Sequence, residues 1–322
     1  MTCYEKDFVK HTMPSGSVCY YRDDGHSYWE AIKPKNRSPE SEWSGSGRLT
    51  GISTVSAPFD WVPNNLMDWA VRINLQGVAE LVRRHFDWFE QHPDDAVSVL
   101  ELRDWLTDGQ KMQERIAAAS LSADDYREER GEEGSNVHEH TLHALASGQS
   151  VPSYSELTES EQAYSRGVEA FWLDHDPEPL QAEQVVCDLG LRIAGRLDFR
   201  GVLRSRCGRR GCPCAGLDLG SIALLDLKTG GYISAPSHVQ IAGYDHGARM
   251  SGFGPSDATF ILQVNEQGQY TLIPGRAKRE DFLTAIEVYR RAKAINKAAS
   301  QDRKAAVEAM VLDVDDGIAS GR

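Results

Sequence analysis

The stretch that decides the fold reads GRLDFRGVL at residues 195–203, IALLDLKTG at 222–230 and SHVQIAGY at 237–244, with a cysteine-rich insert between the first two. The first two pieces are short and rich in branched apolar residues, which predicts two β-strands. The insert holds Gly and Pro, so the strands form an antiparallel pair with an elaborate connection. Side chains alternate along a strand, so Asp226 and Lys228 share one face and Leu227 points away. With Asp198 opposite, two carboxylates and a lysine converge. The third piece reads as a helix on which Gln240 and Tyr244, four apart, share a face.

Two carboxylates and a lysine on adjacent strands are the set that metal-dependent phosphodiester cleavage requires. Magnesium takes hard oxygen ligands, typically one or two carboxylates with water and substrate phosphate. A lysine beside them can orient or activate water and offset developing negative charge. Alone, Asp198 or Asp226 reads as a turn or edge carboxylate. An Asp and a Lys placed together inside apolar strands are costly without a task.

Four signals stand in order: Gly134-Ser-Asn-Val137-His138, Gly195-x-x-Asp198, Asp226-x-Lys228 and Gln240-x-x-x-Tyr244. Over about residues 130–297 this order resembles the PD-(D/E)XK nuclease superfamily, and within it the RecB-like branch. The resemblance implies an α/β fold with a restriction-endonuclease-like core, a mixed central sheet flanked by helices, at 126–297. Residues 1–125 would be a hairpin and mainly helical extension of the same nuclease, and 298–322 a tail. It implies Mg2+ or Mn2+ held by Asp198, Asp226 and the backbone carbonyl of Leu227. His138 would complete or support that set, ahead of its neighbours His140 and His143, and Glu183 is either an acidic residue that joins it or a surface charge at a strand edge. Lys228 would position water, and Gln240 and Tyr244 would contact DNA or order Lys228.

The implied activity is that of a DNA exonuclease acting at DNA ends in phage or bacterial recombination or repair. It is similar to the lambda-exonuclease-like members, which can work with a single-strand annealing partner. Helices at 63–119 are the candidates for an arch guiding a strand past the site. Three alternatives stay open: a CRISPR-adaptation-type nuclease, a structure- or sequence-specific endonuclease, and a non-catalytic DNA-binding subunit. Some RecB-like nucleases hold an iron–sulfur cluster with one cysteine before the core and three after. No cysteine follows Cys214, so that pattern fails. No sequence-reading module, helicase motif or P-loop is present, and binding alone does not need Asp198, Asp226 and Lys228.

The chain has 322 residues, 40% hydrophobic and 26% charged, enough for a large core. Its formal net charge of −13 argues against a protein that coats nucleic acid nonspecifically. Local basic groups are Arg204, Arg206, Arg209 and Arg210 in the insert and Arg276, Lys278, Arg279, Arg290, Arg291 and Lys293 later. No apolar run is long enough for a membrane span, and MTCYEKDFVKH lacks a secretory apolar core. The expected site is therefore cytoplasmic, or the host cytoplasm for a phage protein, with no membrane partner.

Of six cysteines, three lie in RCGRRGCPC at 206–214. Cys207, Cys212 and Cys214 suit a tight knuckle around Zn2+, one ligand short of a structural site. Asp218 or a cysteine brought in by the fold could supply the fourth. Free thiols are the other reading, since the spacing is not that of paired CxxC motifs.

In chain order, 17–33 predicts a hairpin around Asp24-Gly25, 34–48 an exposed loop and 49–55 a strand. Helices are expected at 63–91 and 97–119, and over 121–148 from a Ser122 cap, interrupted at Gly131 and Gly134. Thr158 and Glu161 form a capping box opening a helix to about 174. Two strands flank 188–190, with Glu183 beginning the first. A helix at 237–250, a hairpin at 258–264 and 270–273, and a helix at 280–297 complete the reading.

Overall fold

The apolar alternation at 193–203 and 222–229 builds the middle of one mixed sheet. The structure, a computed structural model, describes residues 8–22, 27–29, 48–57, 63–92, 101, 103–104, 106–149, 151, 154–230 and 232–319. The strands are β1 (Val9–Thr12), β2 (Val18–Arg22), β3 (Ser27–Trp29), β4 (Arg48–Gly51), β5 (Pro177–Asp188), β6 (Ile193–Leu203), β7 (Ile222–Thr229), β8 (Ala258–Val264) and β9 (Tyr270–Pro274). The main helices are α1 (Ile52–Ser56), α2 (Pro63–Gln91), α3 (Gly109–Ala118), α4 (Ala123–Val137), α5 (Glu159–His175), α6 (Ala235–Met250) and α7 (Arg279–Ala319).

The sheet runs β1-β2-β3-β4-β6-β7-β8-β9, with β5 on the other edge of β6. β4 pairs with β6, and β7 with β8, in parallel; the remaining pairs are antiparallel. β4 meets β6 at Ile193 and Ala194, and β7 meets it from Phe199 to Val202. Both therefore lie on one edge of β6, end to end, and residues 195–198 between them carry no strand partner on that side. β7-α6-β8 is a parallel crossover, which needs a covering helix.

Apolar faces on both sides of the sheet explain the layering. On one side Tyr164, Val168 and Phe171 of α5 pack on Phe199, Leu225, Leu227, Phe260 and Leu262. On the other, Ile241 and Tyr244 of α6, Phe282 of α7 and Ile52 of α1 pack on Leu197 and Leu224. Phe171, Phe199 and Phe282 are completely buried; truncating one to Ala would cost about 3–5 kcal/mol. A third cluster, with Met13, Tyr21, Leu49 and Val185, fastens β1–β3 to the same sheet. Among the described residues no helix is long and apolar enough to cross a membrane.

Several local expectations change. The 49–55 segment is a strand only to Gly51; Ile52 and Val55 turn into α1 and are buried three apart on one helical face. Burial against α6 outweighs their β propensity. Gly131 and Gly134 do not interrupt α4, which runs through them under a Ser122–Asp125 capping box. The irregularity comes later, as a π-helical turn over His138–His143. Glu183 does not begin a strand; it lies inside the 12-residue β5. Within the expected 97–119 helix, residues 101, 103–104 and 106–107 are helical and the chain breaks at Asp108, which caps α3. α7 continues past Ala298, through good helix formers, to Ala319. The Asp24-Gly25 turn, most of the 34–48 loop and residues 93–100 lie outside the described residues.

Candidate active site

The β6–β7 ladder ends at Phe199 opposite Leu225. One more step in register sets Asp198 against Asp226. There the strands part: the Leu227 amide, which a continued ladder would direct to a β6 carbonyl, donates to Asp198 Oδ2 at 2.7 Å. On the other edge, β5 pairs Ala182 with Phe199 and Gln184 with Leu197, which leaves Glu183 across from Asp198. Glu183 has a φ of 47°, in the left-handed region that a non-glycine residue seldom adopts. Glu183, Asp198 and Asp226 thus form one row across three strands.

His138 comes from the π-helical turn, a form often found at functional sites. Its Nε2 lies 3.2 Å from the Leu227 carbonyl oxygen. Its Nδ1 lies 3.4 Å from Glu183 Oε1 and 3.6 Å from Asp198 Oδ1. His138, Glu183 and Asp198 each offer a donor atom within 4.8 Å of the others, a grouping that could hold a metal ion. Asp226 stands beside this trio rather than in it, with Oδ2 paired to Lys228 Nζ at 2.8 Å. Asp226 Oδ1, which is buried, takes no hydrogen bond, and its Oδ2 meets the Lys228 ammonium; Glu183 Oε1, also buried, faces His138 Nδ1 at 3.4 Å without hydrogen-bond geometry. The lone pairs left over suit a cation.

Lys228 Nζ donates to Gln240 Oε1 at 3.3 Å, and Gln240 Nε2 donates to Tyr244 Oη at 2.8 Å. The helical spacing of Gln240 and Tyr244 thus yields a short chain of hydrogen bonds ending on the lysine. Tyr244 also explains the glycine of Gly195-x-x-Asp198: a Cβ at Gly195 would sit 2.7 Å from Tyr244 Cε1.

Burial pushes the Asp226 carboxyl up to about 6, with Lys228 opposing. Burial likewise raises Asp198, and His138 opposes it. At His138 burial works against the charged ring, but Asp198 and Glu183 prevail and raise it to about 9. Burial is also outweighed at Lys228, where Asp226 and Asp198 raise the pKa. Tyr244, raised well above its usual value by burial and then by the two aspartates, stays a phenol.

These groups floor a cleft of about 780 Å³. It is lined by α4, through Arg130 and Ser135, by His138 of the π-helical turn, and by Tyr28 and Ser53. No described residue of 63–119 lines it. The basic groups expected to serve it lie elsewhere. Arg204 pairs with Glu178 and Arg209 with Asp174, and Arg206 donates to the Leu217 carbonyl. Arg279 bonds His246, and Arg290 donates to the Leu191 carbonyl. Among the described residues lining the cleft, Lys228, Arg130 and Arg196 join His138 as cations, and Arg196 Nε is 3.0 Å from Glu183 Oε2. Arg196 was missed in the sequence; its position two before Asp198 was the signal. His143 lines the cleft without meeting the carboxylates, and His140 does not line it.

A second group forms where the insert meets α5: His175, Cys207, Cys212 and Cys214 place donor atoms within 4.8 Å of one another. Asp218 is not among them. Cys19 and Cys187 are buried free thiols, and Cys3 lies outside the described residues. No family model matches this chain, and no curated protein matches it.

Proposed function

We propose that the chain is a metal-dependent DNA exonuclease with a PD-(D/E)XK, RecB-like core, acting at DNA ends in phage or bacterial recombination or repair. The observation that carries this reading is the row of Glu183, Asp198 and Asp226 at the parting of β6 and β7, flanked by His138 and Lys228. The donor set fits Mg2+ or Mn2+: carboxylates, one imidazole and the Leu227 carbonyl, with buried oxygens still unsatisfied. Such an ion, when bound, supplies Lewis acidity toward a phosphate and lowers the pKa of water.

The chain's own groups do the rest. Glu183, Asp198 and His138 would hold the ion, and Asp226 would add charge beside them. Asp226 and Gln240 fix the Lys228 ammonium from two directions, leaving its third proton for water or a phosphate oxygen. Tyr244 holds the Gln240 amide so that its oxygen faces Lys228. Arg130 and Arg196 at the cleft suit a polyanionic backbone in a chain that is acidic as a whole.

The test is digestion of end-labelled linear duplex and of covalently closed circles with Mg2+, Mn2+ or chelator. Progressive loss of linear DNA with either metal, survival of circles and no reaction in chelator are expected. Linearisation of closed circles at an equal rate would make it an endonuclease. Binding of DNA without cleavage in either metal would leave a non-catalytic subunit.

A further inference from the structure

We infer that His175, Cys207, Cys212 and Cys214 form a structural zinc site that pins the β6–β7 insert to the end of α5. It goes beyond the proposed nuclease activity and does not depend on it.

The donor set is the first argument. Three sulfurs and one imidazole complete the tetrahedral Cys3His count of structural zinc. All four donors fall within 4.8 Å of one another. Cys207 Sγ and Cys214 Sγ are 3.6 Å apart. A disulfide would need about 2.05 Å. Two thiolates on one tetrahedral zinc, at about 2.3 Å each, stand about 3.8 Å apart. Backbone conformation makes the cluster possible: Gly208 and Gly211 have left-handed φ of 65° and 83°, so the chain folds back between Cys207 and Cys212.

The histidine is the second, independent argument. His175 is the last residue of α5 and completely buried. Its Nδ1 has no hydrogen-bond partner, which is costly for a buried ring nitrogen. Its Nε2 lies 3.2 Å from Tyr270 Oη, and that hydroxyl donates to Asp174 Oδ2 at 2.6 Å. A ring whose Nε2–H donates to Tyr270 holds Nδ1 as the acceptor nitrogen, ready for a metal. Zinc-ligating histidines are usually oriented in this way by a partner on the other nitrogen.

The surroundings are built to hold this knuckle in place. The Ser205 amide donates to the His175 carbonyl at 2.9 Å. Arg209 lies 4.2 Å above the Tyr270 ring and 2.6 Å from Asp174. Zinc would cross-link α5, the insert and, through Tyr270, β9. The insert joins the two strands that carry Asp198 and Asp226, so the site would set how those strands leave the sheet.

The test is elemental analysis of the full chain, purified without chelator and then equilibrated with zinc sulfate and desalted. About one zinc per chain is expected, falling at least tenfold in Cys212→Ser and Cys214→Ser. Because His175→Phe enlarges a completely buried side chain and so tests folding as much as zinc, His175→Cys is the informative variant: a fourth thiolate should keep the zinc. Asp218→Ala should keep it too. In Co2+-loaded protein the thiolate charge-transfer band should grow in His175→Cys. Absence of zinc from the wild type, iron in its place, or full zinc retention in a Cys207→Ser/Cys212→Ser double variant would each overturn the assignment. So would loss of two titratable thiols to a Cys207–Cys214 disulfide in metal-free wild type that cannot take up zinc under reducing conditions.

Discussion

The amide of Leu227 donates to the side chain of Asp198 at 2.7 Å, where a backbone carbonyl of the neighbouring strand would ordinarily accept it. Asp198 therefore has two separable duties: one oxygen ends the ladder and the other faces His138.

Asp198→Asn should separate these duties. It keeps an acceptor for Leu227 and loses the charge, so stability should change little while cleavage of linear DNA falls by about 10²–10³-fold. Asp198→Ala should lose cleavage and also about 1–3 kcal/mol of stability, because the Leu227 amide is left buried without a partner. Urea unfolding beside kcat for both variants checks it. Equal stability losses would mean that the hydrogen bond does no structural work.

Asp226 and Lys228 should respond asymmetrically. Asp226→Ala leaves the lysine partly open to water and still bonded to Gln240. Lys228→Ala leaves a fully buried carboxylate without its cation. Both should abolish cleavage, but Lys228→Ala should be less stable by about 1–3 kcal/mol. The double variant should recover most of that loss, a coupling that a thermal-unfolding double-mutant cycle reads directly.

The metal-free protein should lose stability as pH rises through two windows. Asp226 has a folded pKa near 6 against an ordinary 3.8. The folded state thus binds this proton more tightly than the unfolded chain. Its contribution is complete below pH 4 and gone once pH passes 6, a change of about 3 kcal/mol at most. His138, raised from 6.5 to about 9, contributes fully below pH 6.5 and loses that contribution as pH rises through 9. Unfolding in chelator from pH 4 to 10 should show both slopes. Asp226→Asn should flatten the first and His138→Gln the second. Because protons compete with the metal for these groups, activity should climb as pH rises past 6.

Glu183 offers a test of backbone geometry at the site. At a φ of 47°, a residue with a Cβ is strained by roughly 1 kcal/mol and glycine is not. Glu183→Gly and Glu183→Ala should be equally poor nucleases, but the glycine variant should be the more stable by about that amount. Equal unfolding free energies would argue against the left-handed conformation.

Residues positioned by local periodicity were legible in the sequence. Asp226 and Lys228 share a strand face, and Gln240 and Tyr244 share a helix face, whatever surrounds them. The mixed α/β character followed from the same patterns. The features that escaped depend on long-range geometry. Nothing in the glutamate side chain announces the left-handed φ of Glu183. His175 ends a helix whose other residues read as packing, more than thirty positions before the cysteines it meets. Ile52 and Val55 carry a strand signature yet turn into a helix because the core on α6 takes them at that spacing. The part α4 plays in lining the cleft also escaped, because it reads as a plain polar helix until its far end is seen over β7.

Residues 195–198 of β6 have β5 on one side and, on the other, neither β4 nor β7. The sheet is a partition with a window in it. His138, next to Val137 of the cluster on one face, and Tyr244, from the cluster on the other, reach the same short length of strand through that opening. The width of the window is then set by how far apart two separately packed cores hold β4 and β7. A cavity made in either core, far from any carboxylate, would be felt first as a change in the spacing of Asp198 and Asp226.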